Sequence, residues 1–230
     1  MGGLREKREK FWVRPWSSVL DVWQGPVKNA SQLNERARHR NIQTQVNESD
    51  LPLKVLAEKD GSYLIQMADL TRGFVEAEKV KKIPAKKYWR QVKRFTNDLV
   101  AVDTTKSKFL SFLKSYPRVQ YKWGGRTRRR MDCSACVQDV FFRTTGYLLP
   151  RNSRDQGKKG RPAQALAVGD IILFKSRRDQ ISHIGIVSDA YTGEVFHLSR
   201  LKKVPVFERI TKMEKRYKIV DVRRLVKFHD

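Results

Sequence analysis

Two cysteines in 230 residues cannot form a disulfide framework, and Cys133 and Cys136 stand too close in the chain to staple distant parts of a fold. No stretch approaches the roughly 20 apolar residues that a membrane-spanning helix needs. The opening run MGGLREKREKFWVRPW has the charge of a signal peptide's first region but no apolar run after it, and no Ser or Thr stands at position 6 to suit a myristoylation signal. Export would therefore require a leader removed from this sequence or another route. Acidic residues are scarce: 24 Asp and Glu face 49 Lys and Arg, a formal charge of +25 that holds polyanions close. The cations are spread along the chain, without zinc-finger spacing, a basic zipper or an RNA-binding aromatic signature. Specific nucleic-acid recognition is not expected. Any other carboxylate- or phosphate-rich polymer is an equally anionic partner.

Histidine is also scarce, at four residues: His39, His183, His197 and His229. Two of them fall in short apolar runs, Ile181-Ser182-His183-Ile184-Gly185-Ile186-Val187 and Val195-Phe196-His197-Leu198, which read as buried strands. Upstream, Cys136, Val137, Val140 and Phe141 show the spacing of a helix with one buried stripe, and Asp132 stands before it as an N-cap. Cys133 is thereby set in the first turn, where free N–H groups and the helix dipole favour a thiolate. Two strands packed on that helix would bring His183 to the sulfur as base and set His197 behind it as orienter, accepting the Nδ1 proton of His183. The two cysteines also permit a redox pair or half of a zinc site, and Cys133 alone permits a small buried hydrophobe.

The ordered set Tyr121-Lys122-Trp123-Gly124-Gly125, Asp132-Cys133-Ser134-Ala135, Leu149-Pro150-Arg151, Arg154-Asp155-Gln156, Gly169-Asp170, Ser182-His183-Ile184-Gly185 and Phe196-His197 resembles the motifs of the NlpC and p-sixty family. These are papain-like cysteine peptidases that cut peptidoglycan stem peptides, and the resemblance spans roughly residues 104 to 200. Ala135 stands where the family usually has Gly, and Arg126, Arg128, Arg129 and Arg130 make a basic loop where it more often has small polar residues. The resemblance implies catalytic Cys133, His183 and His197 and makes Cys136 a buried neighbour. It implies substrate contacts at Tyr121, Asp132, Ser134 and Arg151, and a scissile bond between the γ-carboxyl of D-glutamate and the following diamino acid. It implies no metal or organic cofactor, and a periplasmic, secreted or wall location. Packing for Tyr121 and capping for Asp132 are the structural alternatives. A wall-binding protein without activity, or a Cys/His amidase or acyltransferase acting on other amides, are the functional ones.

Elsewhere, residues 1–11 read as a mobile basic tail. Short strands with tight turns over residues 12–83, including Asp60-Gly61 and Tyr63-Leu64-Ile65-Gln66-Met67, fit a small barrel. Their order resembles a bacterial SH3-like domain, with residues 27–46 as a long insertion and Tyr63 as either a core aromatic or a substrate contact. Residues 84–103 interleave cations with Tyr88, Trp89 and Phe95 and read as a linker. Residues 104–230 form the catalytic domain, opening on a helix over Thr104 to Tyr116. The fold class is α+β, a papain-like catalytic domain preceded by an all-β barrel.

Overall fold

Alternating burial along Leu53–Lys59 and Ser62–Gln66 shows why these segments extend: one side of each strand is apolar and the other is wet. The structure, a computed structural model, describes residues 5–6, 11–27, 32–47, 50–84, 88–176 and 180–229. It divides into two units, Met1–Val92 with Trp123–Thr127, and Lys93–Lys122 with Arg128–Asp230.

The first unit contains β1 (Arg5–Glu6), β2 (Trp12–Pro15), β3 (Leu20–Trp23), α1 (Glu35–Asn41), β4 (Ile42–Val46), β5 (Leu53–Lys59), β6 (Ser62–Gln66), β7 (Arg72–Glu76) and β8 (Val80–Ile83). The antiparallel sheet runs β4-β3-β7-β6-β5-β2-β8, with β1 on β5. Asp60 and Gly61, with φ of 50° and 72°, make the tight β5–β6 turn. Among the described residues no pairing joins β4 to β8, so the sheet is open in its pairing where closure was expected. Residues 27–46 are only partly an insertion, because Ile42–Val46 pairs with β3 along Leu20↔Val46 to Trp23↔Ile42. The tail expectation for residues 1–10 falls outside the described residues except at Arg5–Glu6, which is a strand. Arg126 pairs with Asp50 at 2.8 Å.

The second unit contains β9 (Val100–Val102), α2 (Lys106–Lys114), β10 (Gln120–Tyr121), β11 (Arg130–Met131), α3 (Cys133–Thr145), α4 (Ser153–Gln156), β12 (Arg161–Pro162), β13 (Ile171–Lys175), β14 (Ile181–Asp189), β15 (Glu194–Leu198), β16 (Pro205–Arg209), α5 (Ile210–Met213), β17 (Lys218–Arg224) and β18 (Val226–Phe228). It starts earlier than residue 104: Phe95 packs edge-on against Phe141, and β9 pairs in parallel with β18. The antiparallel sheet runs β12-β17-β13-β14-β15-β16. Strand alternation gives it two cores. On one face Val137, Val140 and Phe141 of α3 pack with Ile171, Leu173, Ile184, Ile186 and Phe196. The other face holds Ile172, Phe174, Val195 and Met213, with Tyr217 against them.

Candidate active site

Helix α3 begins at Cys133 because Asp132 is extended and its carboxylate accepts the Ala135 N–H at 2.9 Å. Gly146, left-handed at φ 74°, closes the other end. Arg151, 1% exposed, braces the first turn from below. Its two terminal nitrogens donate to Asp132 at 2.9 and 2.7 Å, and one also reaches the Ser134 hydroxyl at 2.8 Å. Ser134 in turn donates to Asp132 at 3.0 Å. Gln156 donates to the carbonyls of Ser134 and Pro150 at 2.9 and 2.8 Å, tying α4 to the same turn. Asp132, Ser134 and Arg151 are therefore brought together as one buried, mutually bonded set.

The Cys133 side chain is buried, and the backbone N–H groups of Ile184 and Ser134 favour its thiolate. Burial pushes the thiol up to about 12, and the Asp132 carboxylate adds to that; the Ile184 N–H, Arg151 and the Ser134 N–H oppose it. This corrects the expectation of a standing thiolate. Removal from water outweighs the helix start, and the folded site holds a thiol.

The pull of the Ile184 N–H on the thiol sets the sulfur within electrostatic reach of the residue that follows His183. The β14–β15 ladder pairs Asp189↔Glu194, Val187↔Val195 and Ile186↔Phe196. Next along β14 is Gly185, where an added Cβ would meet Val195 Cγ1 at 2.4 Å, the Phe196 carbonyl at 3.0 Å and His197 Cβ at 3.1 Å. Only a glycine lets the strands close here. Just beyond it, His183 Nε2 meets His197 Nδ1 at 2.9 Å, the rings nearly perpendicular at 86°. The contact runs through Nε2 rather than the expected Nδ1, so Nδ1 is the nitrogen of His183 that His197 leaves unengaged. Tyr217 stacks on the His183 ring at 5.1 Å and 15°, and Phe174 lies 6.0 Å from it. Burial, then His197 and Arg216, hold His183 well below 6.5. Burial also lowers His197 to about 4, against the upward pull of Glu208.

Tyr121 is half-buried on β10, its N–H donating to the Lys203 carbonyl at 2.8 Å. Burial, then the charges of Cys133 and Asp132, push its hydroxyl up, so the phenol stays protonated within electrostatic reach of the sulfur. Tyr63 belongs to the first unit, buried in its core edge-on to Phe11. Cys136 is buried beside Tyr116 and Cys133. Arg128, Arg129 and Arg130 are exposed. Among the described residues no group of three or more His, Cys, Asp or Glu is placed to hold a metal ion.

Three residues at this site escaped the sequence reading: Glu208 and Arg216 behind His197, and Tyr217 over His183. Glu208 lies on β16, which reads poorly as a strand because it opens on Pro205 and buries Glu208 while Phe207 and Arg209 face outward. Arg216 and Tyr217 lie between α5 and β17, where only spatial proximity marks them.

A capped helix with a cysteine in its first turn, on an α+β frame whose adjacent strands carry a bonded histidine pair, is the arrangement of a cysteine hydrolase. Residues 118–223 match the model of the NlpC/P60 family. Over 94 residues the chain is 33% identical to Murein DD-endopeptidase MepS/Murein LD-carboxypeptidase of Escherichia coli K12, covering 40% of this chain and 49% of that one. Over 87 residues it is 31% identical to Gamma-D-glutamyl-L-lysine dipeptidyl-peptidase of Bacillus subtilis 168, covering 36% of this chain and 28% of that one. An NlpC/P60 family structure from Bacillus cereus ATCC 10987 aligns with a TM-score of 0.47 at 16% identity, over 95% of this chain and 64% of that one. The chain spans about half the length of the Escherichia coli relative and less of the Bacillus subtilis one.

Proposed function

We propose that this protein is a cell-wall hydrolase whose second unit cleaves an amide of peptidoglycan stem peptides through a Cys133 thioester. The observation that carries the reading is the buried Cys133 at the start of α3, its sulfur within electrostatic reach of the N–H of Ile184, one residue on from a His183 that is bonded to His197 at 2.9 Å. The names of the relatives, a murein endopeptidase and a γ-D-glutamyl-L-lysine dipeptidyl-peptidase, support the substrate class. They name different bonds. Of these we favour the amide between D-glutamate's γ-carboxyl and the following diamino acid, as the motif order around Cys133 suggests.

In this mechanism neutral His183 takes the thiol proton on Nδ1 as the sulfur attacks the carbonyl carbon. Backbone N–H groups of the first turn meet the developing oxyanion, and the Tyr121 hydroxyl is the side-chain donor at hand. Collapse breaks the C–N bond; the amine leaves with the proton held by His183, and the acyl group stays on sulfur. Water then gives a proton to His183 and its hydroxyl to the thioester carbon, releasing the carboxylic acid and restoring the thiol. Asp132, Ser134 and Arg151 fix the first turn, from which Asp132 and Ser134 meet the charged ends of the peptide. The chemistry needs neither metal nor organic cofactor. Such a substrate places the protein outside the cytoplasm, with anionic wall polymers as a second partner, and the first unit acts as an SH3-like accessory module.

Mass spectrometry of purified muropeptides incubated with wild-type and Cys133→Ala protein tests the reading and reports which bond breaks. Wild type should yield the paired fragments of one stem-peptide cleavage. The variant should yield none while melting at the wild-type temperature. Sacculi bound but never cut by wild type would instead support a non-catalytic wall binder.

A further inference from the structure

Two neutral histidines that share one hydrogen bond carry one ring proton each, and they can distribute them in two ways. In the first, His183 Nε2–H donates to His197 Nδ1; His197 then carries its proton on Nε2, and His183 Nδ1 is a free lone pair. In the second, His197 Nδ1–H donates to His183 Nε2; His197 Nε2 is then a lone pair, and His183 Nδ1 is already protonated and cannot serve as a base. The histidine pair alone does not choose between them.

Beyond His197 Nε2, at 3.4 Å, stands a carboxylate oxygen of Glu208, whose side chain is 3% exposed. Glu208 sits opposite Val195 and diagonal to His197 across the β15–β16 ladder, turned inward from an edge strand. Arg216 donates to the oxygen that faces His197, and the Lys212 ammonium lies 3.9 Å from the other. These cations keep Glu208 ionised, and an ionised carboxylate only accepts hydrogen bonds. It stabilises an N–H at His197 Nε2 and repels a lone pair there.

We infer that Glu208 is a positioning residue that selects the first distribution and so keeps the Nδ1 lone pair of His183 available for the Cys133 proton. The relay runs from Arg216 through Glu208, His197 and His183. Its role in turnover rests on the peptidase reading above; its effect on the ring protons does not. Glu208→Gln keeps size and an acceptor for Arg216 but can turn an N–H toward His197 Nε2, which favours the second distribution.

The test has two readouts on the intact chain. Long-range ¹H–¹⁵N spectra, with the four histidines assigned by single His→Gln changes, should show His183 protonated on Nε2 in wild type and shifted toward Nδ1 in Glu208→Gln. Muropeptide kinetics should show kcat falling by about 100-fold with KM little changed, less than the about 10⁴-fold lost when a triad carboxylate that orients the catalytic base directly is made an amide. Glu208→Asp should retain the wild-type tautomer and most of the rate. A wild-type tautomer in Glu208→Gln would overturn the inference, whether or not the rate fell. If wild type and Cys133→Ala proved equally inactive on muropeptides, the peptidase reading would fail, and the spectra would still decide the tautomer question.

Discussion

Cys133 and His183 are both buried and both neutral, the first pushed up to about 12 and the second held well below 6.5. In the proposed reaction, transfer of the sulfur's proton therefore belongs to the attack itself rather than to a resting ion pair. Alkylation of Cys133 by iodoacetamide should consequently keep accelerating as pH rises through 8 to 10, because the thiolate fraction grows toward the raised pKa. A plateau reached below pH 7 would mean that a thiolate–imidazolium pair stands ready, against this account. Hydrolysis follows a different curve. Its acid limb reports protonation of His183, so the rate should already be at its plateau by pH 6.5 and fall only below that.

At the scale of elements, two local features make the site. Asp132 starts α3 and neutralises buried Arg151, so Asp132→Ala removes the cap and leaves a guanidinium without its carboxylate. Breaking a buried pair of this kind costs roughly 3–5 kcal/mol, and the melting temperature should drop by several degrees; a change within error would show that Arg151 has found water. Gly185 lets β15 approach β14, and Gly185→Val should push the strands apart at His197. Activity should be lost, and the His183–His197 contact should disappear from ring-proton spectra.

The sequence disclosed α3, its cap and the two histidine strands because each is written in local signals: an Asp before a helical stripe, and apolar runs bounded by turn residues. It also disclosed the β5–β6 hairpin through Asp60-Gly61. β4 stayed hidden because its only apolar residues are Ile42 and Val46, and the polar Thr44 and Gln45 between them are buried. β16 stayed hidden because its one deeply buried residue is Glu208, whose burial is made tolerable by Arg216, a residue from beyond the next helix. The thiol's protonation is hidden from the sequence for a related reason. A helix start is visible in sequence, whereas the burial that overrides it depends on β14 closing over the sulfur.

Across the molecule, the buried histidines tie stability to pH. His183 and His197 have folded-state values below 6.5, whereas in the unfolded chain they titrate near it, so between those values the unfolded state binds more protons. Stability should therefore fall as pH drops below about 6.5, by roughly 1.4 kcal/mol per pH unit for each group within its window. Melting curves from pH 7 to pH 5 should show this loss, and His197→Gln should flatten it; an identical slope in the variant would assign the loss elsewhere. The charge of +25 leads to a second expectation. Retention on isolated sacculi should weaken steeply between about 50 and 500 mM salt as the Debye length shortens, and salt-independent retention would exclude an electrostatic hold.

The most direct measurement is acid-quenched mass spectrometry of the intact protein mixed with a muropeptide substrate. An acyl adduct should be carried by the tryptic peptide that contains Cys133, formed and lost in step with product and absent from Cys133→Ala. Stem-peptide cleavage by the alanine variant would contradict it outright.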